Sequence, residues 1–460
     1  MSEPESKKNN GTYAAQHRAY IWLVLTIAAL AIISYGAGDE ILRRLSHIED
    51  APTAPMLSAF VLFGLCSFAS FYATWRTPIP SFVVAIALGI AGHPLFAPIT
   101  GNTAVLAALV TGSAALILFG GGLEMPLRNF IRLFVKIALL AFPGVLITGY
   151  ALSWVTGHVS LLLGFEIATP VVILLGAILA STDPAAIIPV LQKMRFKRRD
   201  AKDIVIAESA LNDVVGTLLT SAFLKLPLAG MMLFGAYRAL AAPSAMMFLG
   251  QQAGFGALFG LAGFALLWLL SRMKRDHAEY FGADQAYFIA TPILAFVGAS
   301  VFGGSGFLAA FIAGLVFHAE EHMAGLERFF FQVIDGVAKP VVFVLVGALV
   351  DIHALIAYAP VGIIVALVFM FVLRPLMVFI VLGAYGLLGA KRGLSWGELF
   401  FISFVRETGA IPAVLLVTAV ARATMPVPGL VEIGMWVILL TLIVAPPFTP
   451  LVARNLGVAH

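Results

Sequence analysis

Apolar segments of bilayer-spanning length follow one another along nearly the whole 460-residue chain. A transmembrane helix needs about 20 mostly apolar residues, with a range of roughly 17 to 25 and shorter pieces where a helix is broken. The pattern predicts an all-α polytopic membrane protein with about 13 to 14 transmembrane helices. The predicted segments are 20–36, 55–74, 79–92, 103–123, 131–156, 168–192, 203–224, 245–271, 285–302, 305–318, 333–351, 354–388, 396–421 and 429–452.

The composition supports the same class. Hydrophobic residues make up 61% of the chain and charged residues 11%, with a mean hydropathy of +1.00, whereas an ordinary soluble domain has about 25% charged residues. The single cysteine, Cys66, allows no intrachain disulfide and is interpreted as a small apolar core residue. The net charge of +4 does not indicate nucleic-acid binding. The cations lie in short loops between apolar segments, where they orient the chain in the membrane.

The basic residues predict how the chain is oriented. If the loop 193–202 faces the cytoplasm, alternation of the segments places most of the 28 lysines and arginines on that side, which is the bias of cytoplasmic loops. Both termini, including a tail over 1–19, are therefore predicted to be cytoplasmic, and we expect a bacterial inner membrane. The opposite face receives only Arg43, Arg44, Lys225, Arg238 and Arg422.

The first apolar segment, 20–36, is open to two interpretations. It follows basic residues, as the apolar region of a signal peptide does, but Asp39 and Glu40 come directly after it and no persuasive cleavage site is evident. We expect a retained first helix.

Two aspartates stand inside apolar runs. Asp183 lies in the segment 168–192 and Asp213 in the segment 203–224. An aspartate at the centre of a transmembrane helix costs about 2.5 to 3.5 kcal/mol, so intramembrane carboxylates usually lie on a pathway for ions or protons. The sequence therefore indicates a transporter.

Helical geometry separates the acids of the 203–224 segment into two roles. Ser209 and Asp213 are four residues apart and share a face with Asn212. Glu208 lies roughly 140° away from Asp213, at 100° per residue. We predict that Asp213 faces a cation site and that Glu208 needs a buried cation of its own.

Two intramembrane arginines, Arg374 and Arg406, are possible partners of Glu208. We predict a structural ion pair between Glu208 and Arg374, because an unpaired buried carboxylate would be protonated instead. The alternative is that Glu208 itself carries the transported proton.

The site chemistry suits a small alkali cation. Such cations are hard and take oxygen ligands, and Asp183 and Asp213 supply charged oxygens while Thr182 and Ser209 supply neutral ones. Burial raises the proton affinity of a carboxylate, so a proton and a cation compete for the same atoms. If only the neutralised site crosses between inward and outward states, each passage carries either a cation or protons.

A faint internal symmetry relates two of the segments. The stretch 182–189 has a loose echo in 407–412, seven segments later, and an odd offset reverses the direction of crossing, as an inverted-topology repeat requires. Both stretches contain proline and small polar residues at mid-membrane, where a helix can unwind toward an ion. The alternative is two ordinary proline kinks with a chance similarity.

These motifs together resemble a known family. Thr182-Asp183-Pro184, followed by Glu208-Ser209 and Asn212-Asp213, resembles the monovalent cation:proton antiporters of the sodium/proton exchanger type, in the NhaP-like branch with an Asn-Asp pair. The resemblance spans roughly residues 55 to 450. Supporting stretches are 119–124, 304–309, Arg374-Pro375 and Arg406.

The resemblance implies a homodimer in which a core bundle of two inverted three-helix units moves against a dimerisation domain. It implies no cofactor, since the cation and the proton are substrates. The implied regions are an extra first helix and loop over 20–54, dimerisation helices over 55–123 and 285–351, a linker helix over 245–271, and core halves over 131–224 and 354–455.

The resemblance also assigns roles to residues. Electrogenic relatives have an acid in place of Asn212, which implies electroneutral one-for-one exchange here, and Asn212 would hold the crossing region. The implied ion-site residues are Asp183, Asp213, Thr182 and Ser209, with Asn212 beside them and Glu208 paired to Arg374.

The chain departs from the family pattern at two places. Many relatives have an acid two residues before Gly122, where this chain has Gly120. Relatives often read Arg-Gly-Ala around Arg406, whereas Glu407 and Thr408 intervene here. Glu407 is interpreted as a second structural partner of Arg406, or else as a residue that alters selectivity or pH response.

Three other functions are weighed against antiport. A cation channel would need an open continuous pore, and the buried titratable ligands favour a gated site. An intramembrane serine protease would use Ser305 but needs a histidine at mid-membrane, which no predicted segment contains. The stretch 318–322 matches a zinc-hydrolase pattern without a third ligand, so we interpret it as a solvated loop. The sequence does not choose between Na⁺, K⁺ and Li⁺.

Overall fold

The computed structural model describes residues 5–46, 53–74, 79–182, 190–191, 194–276, 284–317, 323–387, 394–423 and 426–459. Within these ranges the regular structure is helical, apart from an isolated antiparallel bridge between Phe196 and Ala459. The helices are α1 (Glu5–Ser46), α2 (Thr53–Thr74), α3 (Ser81–Ala91), α4 (Ala97–Thr100), α5 (Thr103–Leu123), α6 (Leu127–Ala141), α7 (Pro143–Leu162), α8 (Thr169–Leu179), α9 (Asp200–Lys225), α10 (Leu233–Ala239), α11 (Pro243–Asp276), α12 (Asp284–Val301), α13 (Gly306–Val316), α14 (Ala324–Ala348), α15 (Ile352–Ala357), α16 (Ala359–Gly383, extended by Ala384–Leu387), α17 (Trp396–Phe404), α18 (Ala410–Arg422) and α19 (Leu430–Asn455).

The helices account for the predicted spans. Among the described residues, ten helical stretches are long and apolar enough to cross a bilayer. The helix α3 and the short helical stretch after it pass the same test together, but they are bent by 84° and form either a broken span or a re-entrant loop. The helices α8, α13 and α18 are apolar but shorter. Each of the fourteen predicted segments contains helix, so the prediction of an all-α polytopic membrane fold is confirmed.

Several predicted boundaries differ from the structure, as the segments 20–36 and 354–388 show. The segment 20–36 lies within α1, which runs for 42 residues. Its polar end continues the helix because Glu40 accepts hydrogen bonds from Arg43 and Arg44, three and four residues along, at 2.8 and 2.7 Å. The predicted segment 354–388 begins instead with the separate short helix α15, capped by Asp351, whose side chain accepts from the Ala354 amide at 2.9 Å.

Helical structure is interrupted within the predicted segments 168–192 and 396–421. The helix α8 ends at Leu179, and Ser181 and Thr182 are not helical. The predicted segment 396–421 is interrupted by Val405–Gly409, which separates α17 from α18. Unwinding was expected at both positions from the proline and small polar residues there; residues 183–189 of the first stretch lie outside the described residues.

The helix α9 lies at the centre of the bundle. It packs against α6, α8, α17 and α18. In the most apolar stretch of α9, 89% of the residues are buried, whereas the corresponding share in the other nine spans is 17 to 56%. Its polar residues therefore face protein rather than lipid, which is the arrangement that buried charges need.

Close helix crossings depend on glycine. Where α5 meets α13, a Cβ added at Gly122 would lie 2.6 Å from the Leu315 amide nitrogen, and one at Gly314 would overlap the Phe119 carbonyl oxygen. Backbones that approach this closely leave no room for a side chain, which is why small residues mark tight helix crossings in membranes.

The crossing gives a test of the packing. We expect Gly314→Ala to lower the stability of the purified protein by about 1 to 3 kcal/mol, because two backbones must separate to admit the methyl group. The measurement is the thermal unfolding midpoint in detergent. Gly112→Ala, at an α5 position with nothing within 4 Å of the added Cβ, is the matched control, and an equal effect of the two substitutions would contradict the close crossing.

Candidate functional site

Two side chains of α9, those of Asn212 and Ser209, form hydrogen bonds to Thr182 at the end of α8. The Asn212 Oδ1 atom accepts from the Thr182 amide at 2.9 Å, and its Nδ2 atom donates to Thr182 Oγ1 at 2.6 Å. Ser209 Oγ donates to the Thr182 carbonyl oxygen and lies 3.3 Å from Thr182 Oγ1. Thr182, Ser209 and Asn212 are buried, so the point where α8 unwinds is held by side chains one turn apart on α9.

Asp183 follows Thr182 directly and lies outside the described residues. Of the two predicted cation-binding aspartates, the structure therefore describes Asp213. The sequence prediction that Asp183 and Asp213 share one site stays a prediction.

Asp213 is 4% exposed and lines a small cavity of about 30 Å³. The walls come from α5, α9 and α14, and include Gly121, Ala210 and Phe331. A cavity of this size holds a single small ion or water. Asp213 thus presents its carboxylate to a confined space rather than to bulk solvent.

A second cavity, of about 870 Å³, adjoins the small one and is open to solvent. It is bounded by the start of α9, the end of α5, the first half of α14 and the basic stretch Arg195–Arg199. Residues Glu124, Ile206, Phe331 and Lys339 line both cavities. The two cavities are therefore adjacent, with the wide one on the basic face of the protein and the small one at Asp213.

Glu208 faces away from this approach and contacts Arg374. The Glu208 Oε2 atom lies 2.8 Å from Arg374 Nη2, and Oε1 lies 3.1 Å from Nη1. Arg374 has no exposed surface and Glu208 is 2% exposed. Asn212 Nδ2 also donates to Glu208 Oε1 at 2.8 Å, so Asn212 connects the ion pair to the unwound end of α8.

Arg406 connects the two interruptions of the helices. Its Nη2 atom donates to the carbonyl oxygens of Ala180 at 2.8 Å and Leu179 at 3.4 Å, and its guanidinium lies 4.2 Å from the Phe369 ring centroid. A cation at the carboxyl end of α8 compensates the partial negative charge of the helix dipole. Glu407 beside it is buried, and its suggested role as a partner of Arg406 stays a prediction.

The first departure from the family pattern has a structural explanation. A Cβ atom added at Gly120 would overlap Ile334 Cδ1, so the Ile334 side chain occupies the space that a larger residue would need. The glycine and the isoleucine are complementary.

Sequence reasoning assigned no role to Glu124 and Lys339, although both line the approach to Asp213. Glu124 ends one of the stretches that support the resemblance, and Lys339 is a charge inside a predicted apolar segment. The position of Lys339 could have indicated a role in the site, because a charge within a transmembrane span usually faces a cavity or a charged partner.

The structure gives no support for the protease or zinc-hydrolase alternatives in the residues that it describes. Ser305 Oγ accepts from the Leu308 amide at 3.2 Å and caps α13. The stretch 318–322 lies outside the described residues. In the described part of the chain, no group of three or more His, Cys, Asp or Glu side chains is arranged to hold a metal ion.

Known proteins resemble this chain in sequence. Over 372 residues it is 31% identical to the K(+)/H(+) antiporter NhaP of Alkalimonas amylolytica, a match that covers 77% of this chain and 58% of that relative. It is 28% identical over 359 residues to Na(+)/H(+) antiporter 1 of Methanocaldococcus jannaschii, covering 75% and 78%. The chain thus spans little more than half the length of the first of these relatives.

The fold and the family agree. The structure of the sodium proton antiporter MjNhaP1 from Methanocaldococcus jannaschii at pH 8 superposes with a TM-score of 0.66 and 24% identity, covering 88% of this chain and 99% of that one. Residues 57–454 match the family described as sodium/hydrogen exchanger, transmembrane. The resemblance predicted from the motifs is therefore confirmed, and the chain belongs to the sodium/hydrogen exchanger family.

Proposed function

We propose that this protein is a secondary active transporter that exchanges a monovalent cation for protons across the membrane. The observation that carries the proposal is the position of Asp213 in a small cavity that adjoins a wider, solvent-open one. A carboxylate taken out of bulk water is neutralised either by a proton or by a cation. Competition between the two at one site couples their movements in opposite directions.

Alternating access would follow from the cost of moving an empty site. With neither ion bound, Asp183 and Asp213 would carry two uncompensated charges through a low-dielectric barrier, which is unfavourable. Neutralisation by a cation or by protons removes that cost. The oxygens of Thr182 and Ser209 lie at the unwound end of α8, where they are available to replace part of the hydration shell of a cation.

The cation is proposed to be Na⁺, with K⁺ and Li⁺ as the other candidates. The relatives described above are named for Na⁺ in one case and K⁺ in the other. The exchange is proposed to be electroneutral, because Asn212 carries no charge and its amide is used in hydrogen bonds to Thr182 and Glu208.

The oligomeric state and the membrane orientation are further parts of the proposal. We propose a homodimer in a bacterial inner membrane with both termini cytoplasmic, in which the core halves 131–224 and 354–455 move against the remaining helices. The basic face around Arg195, Arg199 and Lys202, onto which the wide cavity opens, would then be cytoplasmic, as the bias of lysine and arginine toward that side favours.

The test is cation-driven proton movement in proteoliposomes that contain a pH-sensitive dye. Sodium, lithium or potassium is added outside, with the membrane potential either free or clamped. We expect proton flux that depends on the added cation and is unchanged by the clamp, since one charge crosses in each direction. Ser305→Asn keeps a capping side chain but removes the hydroxyl nucleophile, and we expect it to exchange like the unmodified protein.

Other outcomes would contradict specific parts of the proposal. Proton flux that follows the potential would contradict electroneutral exchange. Cation conductance without coupled proton movement would favour the channel alternative. Absence of flux with all three cations, from protein that remains folded, would overturn the antiport proposal itself.

A further inference from the structure

The approach to Asp213 narrows where the wide cavity meets the small one. Four side chains line both cavities: Glu124, Ile206, Phe331 and Lys339. An ion that moves between solvent and Asp213 along this route passes all four. We call these four residues the neck.

The neck contains two opposite charges on different helices. Glu124 directly follows Leu123, the last residue of α5. Lys339 lies in α14, directly after the wider turn formed by Ile334–Ala338. Both are partly exposed and line both cavities, so both charges act on an ion that passes between solvent and Asp213.

Lys339 is held at this place from the solvent side. Its Nζ atom lies 2.7 Å from Asp335 Oδ1, one turn earlier on α14, and its side chain is 22% exposed, against 68% for that of Asp335. Asp335 lines the wide cavity only and is the more exposed of the two, so Lys339 is paired with a carboxylate on the solvent side of the neck.

The acid on the other side of the neck is placed by α5. Glu124 is four residues after Gly120, on the same helical face and about one turn closer to solvent. At Gly120 itself Ile334 fills the available space. The carboxylate at the end of α5 is therefore one turn beyond Gly120 and lines both cavities.

We propose that Glu124 and Lys339 set the apparent affinity for the transported cation, Glu124 by attracting it into the neck and Lys339 by competing with it as a tethered ammonium group. The proposal rests on the proposed cation exchange. A cleft with low-dielectric walls focuses the field of the charges that line it, so their removal changes the local concentration of a cation. In this proposal Asp213 binds the cation and the two neck charges act on its entry, so their effect is on KM more than on kcat.

The kinetic test uses three variants in the proteoliposome assay at low ionic strength. We expect Glu124→Gln to raise the KM for the cation, and Lys339→Met to lower it, each by about tenfold and with smaller changes in kcat. Glu124→Asp should restore a KM close to that of the unmodified protein. Both shifts should shrink in high concentrations of an untransported salt, because the screening length falls to about 3 Å at 1 M.

A second measurement reads the charge at the neck without transport. Cys66 is buried and lines neither cavity, whereas Ile206 lines both, so a cysteine introduced as Ile206→Cys is the intended target for charged methanethiosulfonate reagents. The ratio of the reaction rates of cationic and anionic reagents reports the local potential. We expect Lys339→Met to raise this ratio and Glu124→Gln to lower it, with a smaller change in Glu327→Gln, a carboxylate of the wide cavity only.

The two measurements separate the possible failures. Absence of exchange in the unmodified protein, with the expected labelling ratios, would overturn the proposed function and leave the charged neck. Exchange in the unmodified protein with unchanged KM in both charge variants would overturn the proposed neck. An unreactive Ile206→Cys, or a ratio that neither substitution shifts, would contradict a solvent path through these residues.

Discussion

Asp213→Asn is expected to abolish cation-coupled proton movement and to leave a folded transporter. The substitution keeps the size of the side chain, but an amide neither titrates nor offers a charge to a cation. Asp213 is 4% exposed and is the carboxylate that α9 contributes to the small cavity. Proton flux in proteoliposomes should therefore fall to the level of protein-free vesicles with Na⁺, K⁺ or Li⁺.

A carboxylate elsewhere on α9 is the matched control. Asp203 lies at the basic end of the helix, where its carboxylate is 3.5 Å from Arg132 and accepts from Asn129 at 3.2 Å. Asp203→Asn should retain exchange. Both variants should elute as the unmodified protein does on size exclusion, which separates loss of function from loss of fold.

Asp183→Asn is expected to behave like Asp213→Asn, because the sequence places Asp183 immediately after Thr182, whose hydroxyl and amide contact α9. Full exchange in either aspartate variant would contradict the assignment of the site.

The long spans were predictable from sequence because bilayer thickness fixes the length of an apolar helix. The interruption at Val405–Gly409 lies in a segment whose hydropathy is that of a continuous span. It is stabilised by contacts distant in sequence: Arg406 with Ala180, and the Thr408 amide with Thr441 Oγ1 at 3.1 Å. Proline and small polar residues indicated where the helix unwinds, but not which partners satisfy the freed groups.

The role of Asn212 was only partly predictable. Helical spacing put it on the face of Asp213, yet it is also four residues after Glu208 and about 40° from it around the helix. In the structure, Asn212 Nδ2 donates a hydrogen bond of 2.8 Å to Glu208, one turn earlier on α9. The cavities could not be predicted, because they depend on how α5, α9 and α14 pack, as in the fit of Ile334 beside Gly120.

Arg374→Ala is expected to lower the stability of the purified protein by about 3 to 5 kcal/mol, since it leaves the Glu208 carboxylate buried without its cation. Arg374 is completely buried and makes two contacts with Glu208, at 2.8 and 3.1 Å. The measurement is the thermal unfolding midpoint together with the yield of monodisperse protein. Arg422→Ala, at an exposed arginine, should change stability by no more than about 0.5 kcal/mol.

The double variant Glu208→Gln with Arg374→Gln tests whether the pair is structural. A neutral glutamine at 208 can still accept from Asn212, so most of the stability lost in Arg374→Ala should return. If the double variant also exchanges cations for protons, Glu208 is not the proton carrier, because no titratable group remains at that position. A folded double variant without exchange, beside an active Asp203→Asn control, would favour the alternative in which Glu208 carries the transported proton.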